Sequence, residues 1–353
     1  MKIGVVFTGG TIGSMLARDG YISPDGEAPF KLIDMYRSYA SKRMGTGAFA
    51  DMYTAANAAD SKDDVEFVVS QPYMILSEML DAPHILKLIK HVGELSRTDL
   101  DGIIVTHGTD TLQYSAAFLS YAAGISSIPI VLVSADYPLE DKRSNGLENF
   151  DCAVEFIRRK KGMGVFISYK NKEDAFVTIH RGTRTVAHMP YSASLFSVDN
   201  QYYAKFDGNN PEFNKLYAVP KESAADVLLP DEKNFAEAAA LIQRVSAYPG
   251  MEYPKILPQT KAVLLESYHS GTLCTDEKFH EYARGLWERG VSLFVTGFDK
   301  GKASYETTAA YGDLRLTLLP KMSPISAYCK LWLLLSGKRD LNDMNICMAE
   351  DFV

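Results

Sequence analysis

Cysteine is scarce in this sequence, which has four cysteines among its 353 residues. Cys152, Cys274, Cys329 and Cys347 lie far apart, and none of them belongs to a CxxC pair. Neither a disulfide framework nor a zinc site is therefore indicated. Histidine, aspartate and glutamate also form no cluster with the spacing of metal ligands, so the sequence predicts no metal site.

The sequence also lacks a net positive charge and long apolar runs. The formal net charge is -7, whereas a general nucleic-acid binder needs a cationic face. The apolar run LWLLL, at residues 331–335, is too short to span a membrane. Residue 3 already belongs to a strand pattern, so we expect no signal peptide. The sequence thus predicts a cytoplasmic protein with neither nucleic acid nor a membrane as a partner.

Short β-branched runs alternate with helical stretches over the first two-thirds of the chain. The helical stretches include residues 84–96 and 111–124. The predicted strands are residues 2–8, 64–70, 102–108, 128–134 and 164–169. Continuous apolar strands separated by helices are typical of a parallel sheet that is covered on both faces. The pattern therefore predicts a doubly wound α/β domain, whose ligands bind beyond the carboxyl ends of the strands.

A break in this pattern divides the chain. Residues 206–238 are rich in glycine, asparagine, proline and charge, which is typical of a linker. A second alternation of strands and helices follows and ends in a helix from Ser323 to about Ser336. We therefore predict a larger, mostly parallel α/β domain over residues 1–205 and a smaller, flavodoxin- or Rossmann-like α/β domain over residues 239–353.

A glycine-rich turn, TGGTIG at residues 8–13, follows the first predicted strand directly. It lacks both phosphate-binding patterns, because its glycines do not have GxGxxG spacing and the chain has no GxxxxGK[ST] string. Taken alone, the glycines are equally compatible with a tight strand-to-helix turn. A second polar loop, HGTDT at residues 107–111, ends a neighbouring predicted strand, and this pairing favours an active site at that edge of the sheet.

TGGTIG followed about a hundred residues later by HGTDT resembles the asparaginase/glutaminase family, bacterial amidohydrolases that use threonine. Further stretches resemble motifs of that family, namely ILSEML (75–80), SADYP (134–138), YPGM (248–251) and ESYHSGT (266–272). The resemblance spans almost the whole chain and is densest in the first half. It implies an asparaginase that needs no cofactor and forms a homodimer or homotetramer.

The resemblance also implies roles for individual residues. Thr11 would be the nucleophile that forms an acyl-enzyme, and Thr109 would belong to a second catalytic group. Asp110 would bind the α-ammonium of the substrate, although it also suits the N-cap of the following helix. Ser77 and Glu78 match the loop that holds the α-carboxylate and α-ammonium, while a Ser-Glu pair that caps a helix is the competing interpretation.

Other positions complete the predicted site. Gly10 and Gly108 would let a substrate approach the backbone, whose N–H groups can hold an oxyanion. Tyr21, in a glycine- and proline-rich segment typical of a mobile lid, is the best match by order for the tyrosine that assists the nucleophile. A plain surface tyrosine is equally compatible with the sequence. We interpret Thr8 as a strand-end residue with a satisfied hydroxyl and His107 as a residue that orients its loop.

One position departs from the family pattern. Family members place a lysine after the fifth strand as proton acceptor for the Thr109 group, and the best register puts His188 there, with Phe196 at a downstream family phenylalanine. A histidine, with an ordinary pKa of about 6.5, accepts a proton near neutral pH without the shift that a lysine needs. The change either keeps the base on a shorter side chain or abolishes it, and an ordinary strand histidine is a third interpretation. Other candidate sources of positive charge are Lys170, Lys172 and Arg184.

The sequence thus predicts an L-asparaginase that converts L-asparagine and water into L-aspartate and ammonia through a threonyl ester, with glutamine as a possible secondary substrate. One alternative is the amidotransferase subunit of the same superfamily, which supplies ammonia to a tRNA-bound glutamate and usually carries an additional N-terminal domain. A second alternative is an aspartate- or asparagine-binding sensor that keeps the pocket but has lost the base.

Overall fold

A computed structural model describes residues 1–16, 22–24, 26–45, 65–123, 127–206, 210–220, 227–299 and 305–353. The strands are β1 Lys2–Phe7, β2 Ser14–Leu16, β3 Ile22–Pro24, β4 Glu66–Ser70, β5 Gly102–Thr106, β6 Pro129–Val133, β7 Gly164–Tyr169, β8 Val177–Arg181, β9 Ala204–Phe206, β10 Pro211–Phe213, β11 Ile242–Ser246, β12 Ala262–Glu266, β13 Ser292–Thr296 and β14 Thr317–Leu318. The helices are α1 Ala28–Gly45, α2 Ala82–Leu95, α3 Leu112–Ala123, α4 Gly146–Arg158, α5 Phe235–Ala239, α6 Glu277–Glu288 and α7 Pro324–Ser336.

The larger sheet has eight strands in the order β10-β9-β8-β7-β6-β5-β1-β4. β7, β6, β5, β1 and β4 run parallel to one another, whereas β8, β9 and β10 each pair in antiparallel orientation. Every residue of β5, β6 and β7 is buried, as expected of parallel strands that are covered on both faces. The five strands predicted from the sequence are the five parallel ones, and the predicted α/β class is confirmed.

The smaller sheet consists of β11, β12, β13 and β14, which are all parallel. The last helix, α7, begins where the sequence predicts it, because the Ser323 side chain accepts a hydrogen bond from the backbone N–H of Ile325. α7 is buried against α3 of the larger sheet, where Trp332 meets Phe118 edge-on with ring centroids 5.2 Å apart. One apolar cluster therefore connects α2 and α3 with α5, α7 and the strands of the smaller sheet.

Residues 206–238, predicted as a linker, contain ordered elements at both ends. Pro211–Phe213 pair with β9 at the edge of the larger sheet. Phe235, at the start of α5, stacks on Trp332 with ring centroids 4.9 Å apart. The division into two domains with a linker remains a prediction. Among the described helices, none is long and apolar enough to cross a membrane.

The C-terminal residues are fastened to the helices by a buried ion pair. Lys330 on α7 and Asp351 are both fully buried, with 3.0 Å between the Lys330 Nζ and Asp351 Oδ2 atoms. The Tyr121 hydroxyl donates a second hydrogen bond of 2.9 Å to the same carboxylate oxygen. These two donors to Oδ2 and the N–H of Met348, which donates to Oδ1, offset part of the free energy that desolvation of the carboxylate costs.

Candidate active site

The TGGTIG turn is held at the carboxyl edge of the larger sheet by backbone bonds to the chain after β4. The N–H of Gly10 donates to the carbonyl oxygen of Ile75, and the N–H of Ile75 donates to that of Thr8, both over 3.0 Å. The Thr8 hydroxyl donates to the Thr106 carbonyl oxygen over 2.7 Å at the end of β5. Thr8 is therefore a buried strand-end residue with a satisfied hydroxyl.

Gly10 lets the TGGTIG turn contact the HGTDT loop. Its φ of 73° with ψ of -178° lies in a region that essentially only glycine adopts. A Cβ at this position would lie 2.2 Å from the backbone nitrogen of Gly108 in the HGTDT loop. Thr11, the predicted nucleophile, follows directly and begins a short 3-10 turn at the same junction.

Ser77 completes this junction from a third loop. A Cβ on Gly108 would lie 2.5 Å from both Cβ and Oγ of Ser77, so the two residues are already in close contact. The Ser77 hydroxyl lies 3.4 Å from Oδ2 of Asp110, and the Thr111 hydroxyl donates to the Ser77 carbonyl oxygen over 2.9 Å. The structure thus brings together loops that are widely separated in the sequence.

Ser77 and Glu78 do not cap the following helix. They belong to a 3-10 turn, Ser77–Met79, and the N-cap of α2 is Asp81, whose carboxylate accepts from the N–H of His84 over 3.1 Å. Ser77 is buried against the other loops, whereas Glu78 is exposed. The capping interpretation of this pair is therefore excluded, and the substrate-binding role stays a prediction.

His107 is a buried, neutral residue behind the HGTDT loop. Its Nδ1 donates to the carbonyl oxygen of Gly108 over 2.8 Å, and its Nε2 accepts from the Ser115 hydroxyl over 2.8 Å. Burial lowers the pKa of His107 to about 4, which keeps the ring uncharged near neutral pH. The bond to Ser115 thus orients the His107 ring, and the bond from Nδ1 orients the Gly108 carbonyl group.

A cavity of about 390 Å³ opens against the HGTDT loop, but Gly10, Thr11, Ser77 and Gly108 are not among its lining residues. It is lined by Thr109, Asp110, Gln113, Tyr114 and residues 187–193, which include His188. The predicted second catalytic threonine, the predicted ammonium ligand and the predicted base thus share one cavity. Gln113 also donates from its side chain to the Asp110 carbonyl oxygen over 3.0 Å, which steadies the turn that carries Thr109 and Asp110.

The tautomer of His188 follows from its hydrogen bond. Nδ1 lies 3.0 Å from the carbonyl oxygen of Ser194, and because a carbonyl can only accept, Nδ1 carries the proton. Nε2 is buried and has no hydrogen-bond partner among the described residues. Burial lowers the pKa of His188, although the Ser194 bond and the charge of Asp110 raise it in part. The neutral ring therefore presents Nε2 as an unprotonated nitrogen.

The other candidate cations are engaged elsewhere or exposed. Lys170 forms an ion pair of 3.0 Å with Glu148. Arg184 is fully buried and its guanidinium donates to four oxygen atoms, those of the Glu350, Phe352 and Ala218 carbonyls and of the Gln201 side chain. Lys172 is exposed. Of the four basic candidates, His188 is the one that lines the cavity.

Tyr21 lies outside the described residues. Within those residues, no group of three or more histidine, cysteine, aspartate or glutamate side chains is arranged to hold a metal ion. Ser115 and Asn171 were not predicted as site residues. Ser115 bonds to His107 and Asn171 bonds to the Leu195 backbone, so each supports one of the two loops. Neither residue belongs to a motif, so the sequence carries no signal for them.

The fold is that of an α/β protein with two sheets. Its polar loops meet at the carboxyl edge of the larger sheet, which is where enzymes of this class have their active sites. Residues 2–217, well over half of the chain, match the family described as Asparaginase, N-terminal. The chain therefore belongs to the asparaginase family of amidohydrolases.

Solved structures share the whole fold. The thermostable L-asparaginase from Thermococcus kodakarensis is similar with a TM-score of 0.73 and 19% identity, over 100% of this chain and 99% of that one. L-asparaginase I from Vibrio cholerae has a TM-score of 0.68 and 18% identity, over 100% and 99% of the two chains. A probable cytoplasmic L-asparaginase from Campylobacter jejuni has a TM-score of 0.65 and 18% identity, over 98% of each chain.

Similar curated sequences carry a different name, that of a glutamyl-tRNA(Gln) amidotransferase subunit. The protein of this name from Pyrobaculum aerophilum is 27% identical over 270 residues, which cover 72% of this chain and 61% of that relative. The one from Methanosarcina acetivorans is 34% identical over 191 residues, 52% of this chain and 38% of its own length. The chain thus spans less than two thirds of the length of these relatives.

Proposed function

We propose that this protein is an L-asparaginase, which hydrolyses the side-chain amide of L-asparagine to L-aspartate and ammonia. The observation that supports this proposal best is the meeting of Gly10, Gly108 and Ser77, through which the turn that carries Thr11 contacts the loop that carries Thr109 and Asp110. A threonine hydroxyl, a second threonine, a carboxylate and a neutral histidine are groups suited to a metal-free amide hydrolysis.

The proposed reaction begins with Thr11. Its Oγ1 attacks the amide carbon while its hydroxyl proton passes to Tyr21 and from there to the amide nitrogen. The C–N bond then breaks, and ammonia leaves as the threonyl ester forms. Water then attacks the ester, releases aspartate and restores the threonine. Because the N–H of Gly10 is already bonded to Ile75, we assign the oxyanion to the N–H groups of Thr11 and Thr109 instead.

The remaining residues hold the substrate and accept protons. The exposed carboxylate of Asp110 binds the α-ammonium, and the Ser77–Glu78 turn beside it binds the α-carboxylate and shares the ammonium. His188 acts through Nε2 as the proton acceptor of the Thr109 group, since its Nδ1 proton is committed to Ser194. This assignment keeps the base chemistry of the family on a different side chain.

Ammonia release from asparagine and from glutamine tests the proposal. We expect turnover of asparagine by the wild type and none above background in Thr11→Val. Thr8→Val, which alters the other threonine of the same turn, is the matched control and should retain activity if folded. Wild-type protein that is stabilised by aspartate in a thermal-shift titration, yet releases no ammonia, would contradict the proposal and identify a sensor.

The curated relatives favour a second candidate function, that of an amidotransferase subunit. In that case glutamine rather than asparagine is the substrate, and ammonia release depends on a partner and a glutamate-charged tRNA. Glutaminase activity that appears only when these components are added would select this alternative. The predicted homodimer or homotetramer, the cytoplasmic location and the domain division over residues 1–205 and 239–353 are part of the same proposal.

A further inference from the structure

The segment that carries His188 is a closed loop on the larger sheet. We call residues 186–196 the His188 loop. Its two ends meet where Thr185 and Ser197 form an antiparallel bridge, and the N–H of Val186 donates to the carbonyl oxygen of Phe196 over 3.0 Å. These two contacts fix the ends of the loop, but they do not determine where its middle lies.

Asn171 fixes the far side of the His188 loop. Its Oδ1 accepts from the backbone N–H of Leu195 over 2.8 Å, and its Nδ2 donates to the carbonyl oxygen of Leu195 over 3.1 Å. Asn171 is buried and follows β7 closely, where the N–H of Lys170 donates to Oδ1 of Asn149 on α4 over 2.8 Å. The Asn171 amide therefore ties the loop to a rigid part of the sheet.

A single peptide group links Asn171 to His188. The N–H of Leu195 and the carbonyl group of Ser194 belong to the same planar peptide unit. Asn171 accepts from its N–H end, while Nδ1 of His188 donates to its oxygen end over 3.0 Å. The orientation that Asn171 gives to this plane sets the direction of the oxygen that holds the His188 proton, and consecutive hydrogen bonds through one peptide strengthen each other.

We propose that Asn171 is a positioning residue that holds His188 in the Nδ1–H tautomer by fixing the plane of the Ser194–Leu195 peptide. Nε2 of His188 is thereby kept free of its proton and available as an acceptor. The inference rests on the proposed function for its effect on catalysis. The tautomer itself is a property of the folded chain and is measurable without any turnover.

The ring-nitrogen chemical shifts of the ¹⁵N-histidine-labelled full chain test this proposal. The signals of His188 are assigned by their loss in His188→Ala. We expect the wild type to show the Nδ1–H tautomer at neutral pH. Asn171→Ala should shift the population toward the Nε2–H tautomer, and kcat on asparagine should fall about tenfold to a hundredfold while KM changes little. Asn171→Asp keeps an oxygen for the Leu195 N–H and should retain the wild-type tautomer.

Asn214→Ala is the matched control. Asn214 also bonds loop backbone through both ends of its amide, with Nδ2 donating to the Asn200 and Tyr202 carbonyl oxygens and Oδ1 accepting from Leu216, but it does not line the cavity. It should leave the His188 tautomer and kcat unchanged. The proposal is overturned if the wild-type ring is the Nε2–H tautomer, or if Asn171→Ala keeps the tautomer. An inactive wild type with the predicted tautomer shift would instead overturn the proposed function alone.

Discussion

Gly10→Ala should separate the geometry of the active-site junction from general stability. The new Cβ would lie 2.2 Å from the Gly108 nitrogen and 2.3 Å from its Cα. Both are backbone atoms, so no side-chain rotation relieves the contact and the two loops must move apart. The backbone conformation of Gly10 adds about 1–3 kcal/mol of strain for any residue with a Cβ.

The expected loss of activity is larger than the loss of stability. A displacement of about 1 Å between catalytic groups costs about a hundredfold in rate, and the clash demands a movement of that size. We therefore expect ammonia release by Gly10→Ala to fall about a hundredfold or more, with a folded protein that melts a few degrees lower.

Gly13→Ala is the control within the same turn. Nothing lies within 4 Å of a Cβ at Gly13, so this variant should keep both its melting temperature and its activity close to the wild type. Wild-type turnover in Gly10→Ala, or an equal loss of activity in Gly13→Ala, would show that the contact between Gly10 and Gly108 does not set the geometry of the site.

Three further predictions concern charge and protonation. Because burial lowers the pKa of His188, the rate should fall with decreasing pH through a pKa below about 6.5, and His188→Ala should abolish that limb of the pH–rate profile. Asp351→Asn leaves Lys330 buried without its counter-ion and should lower the free energy of unfolding in urea by about 3–5 kcal/mol. Asp343→Asn removes a partly exposed ion pair with Arg339 and should lower it by less than about 1 kcal/mol. The pKa of His107 is about 4 in the folded protein and about 6.5 in the unfolded chain, so the unfolded state binds more protons between these pH values. The free energy of unfolding should therefore decrease as the pH falls from about 6.5 to about 4. A free energy of unfolding that does not change over this interval would contradict a buried, neutral His107.

Elements with a local cause could be predicted from the sequence. The parallel strands are continuous apolar runs, and α7 has a serine N-cap followed by proline, so both patterns are complete within a few residues. The antiparallel strands β8, β9 and β10 were not predicted. β9 and β10 are three residues each, so their pairing depends on an existing sheet edge rather than on their own sequence.

The supporting contacts of the site could not be predicted for the same reason. Arg184 is basic and near His188 in the chain, which made it a candidate charge, yet its partners at Glu350 and Phe352 lie more than 160 positions away. Asn171 meets Leu195 across 24 positions, in a stretch that reads as an ordinary polar loop. Contacts of this kind are set by how the sheet edge brings loops together, and a single sequence does not record them.

The contact between Gly10 and Gly108 explains why the two glycine-containing motifs are informative as a pair. Each glycine alone is compatible with an ordinary turn. In the fold, however, the space for a Cβ on Gly10 is filled by the backbone of Gly108, and the space for a Cβ on Gly108 is filled by Ser77. The absence of a side chain at Gly10 is therefore required by the HGTDT loop and the absence at Gly108 by Ser77, which makes TGGTIG, HGTDT and the Ser77 turn parts of one packed junction.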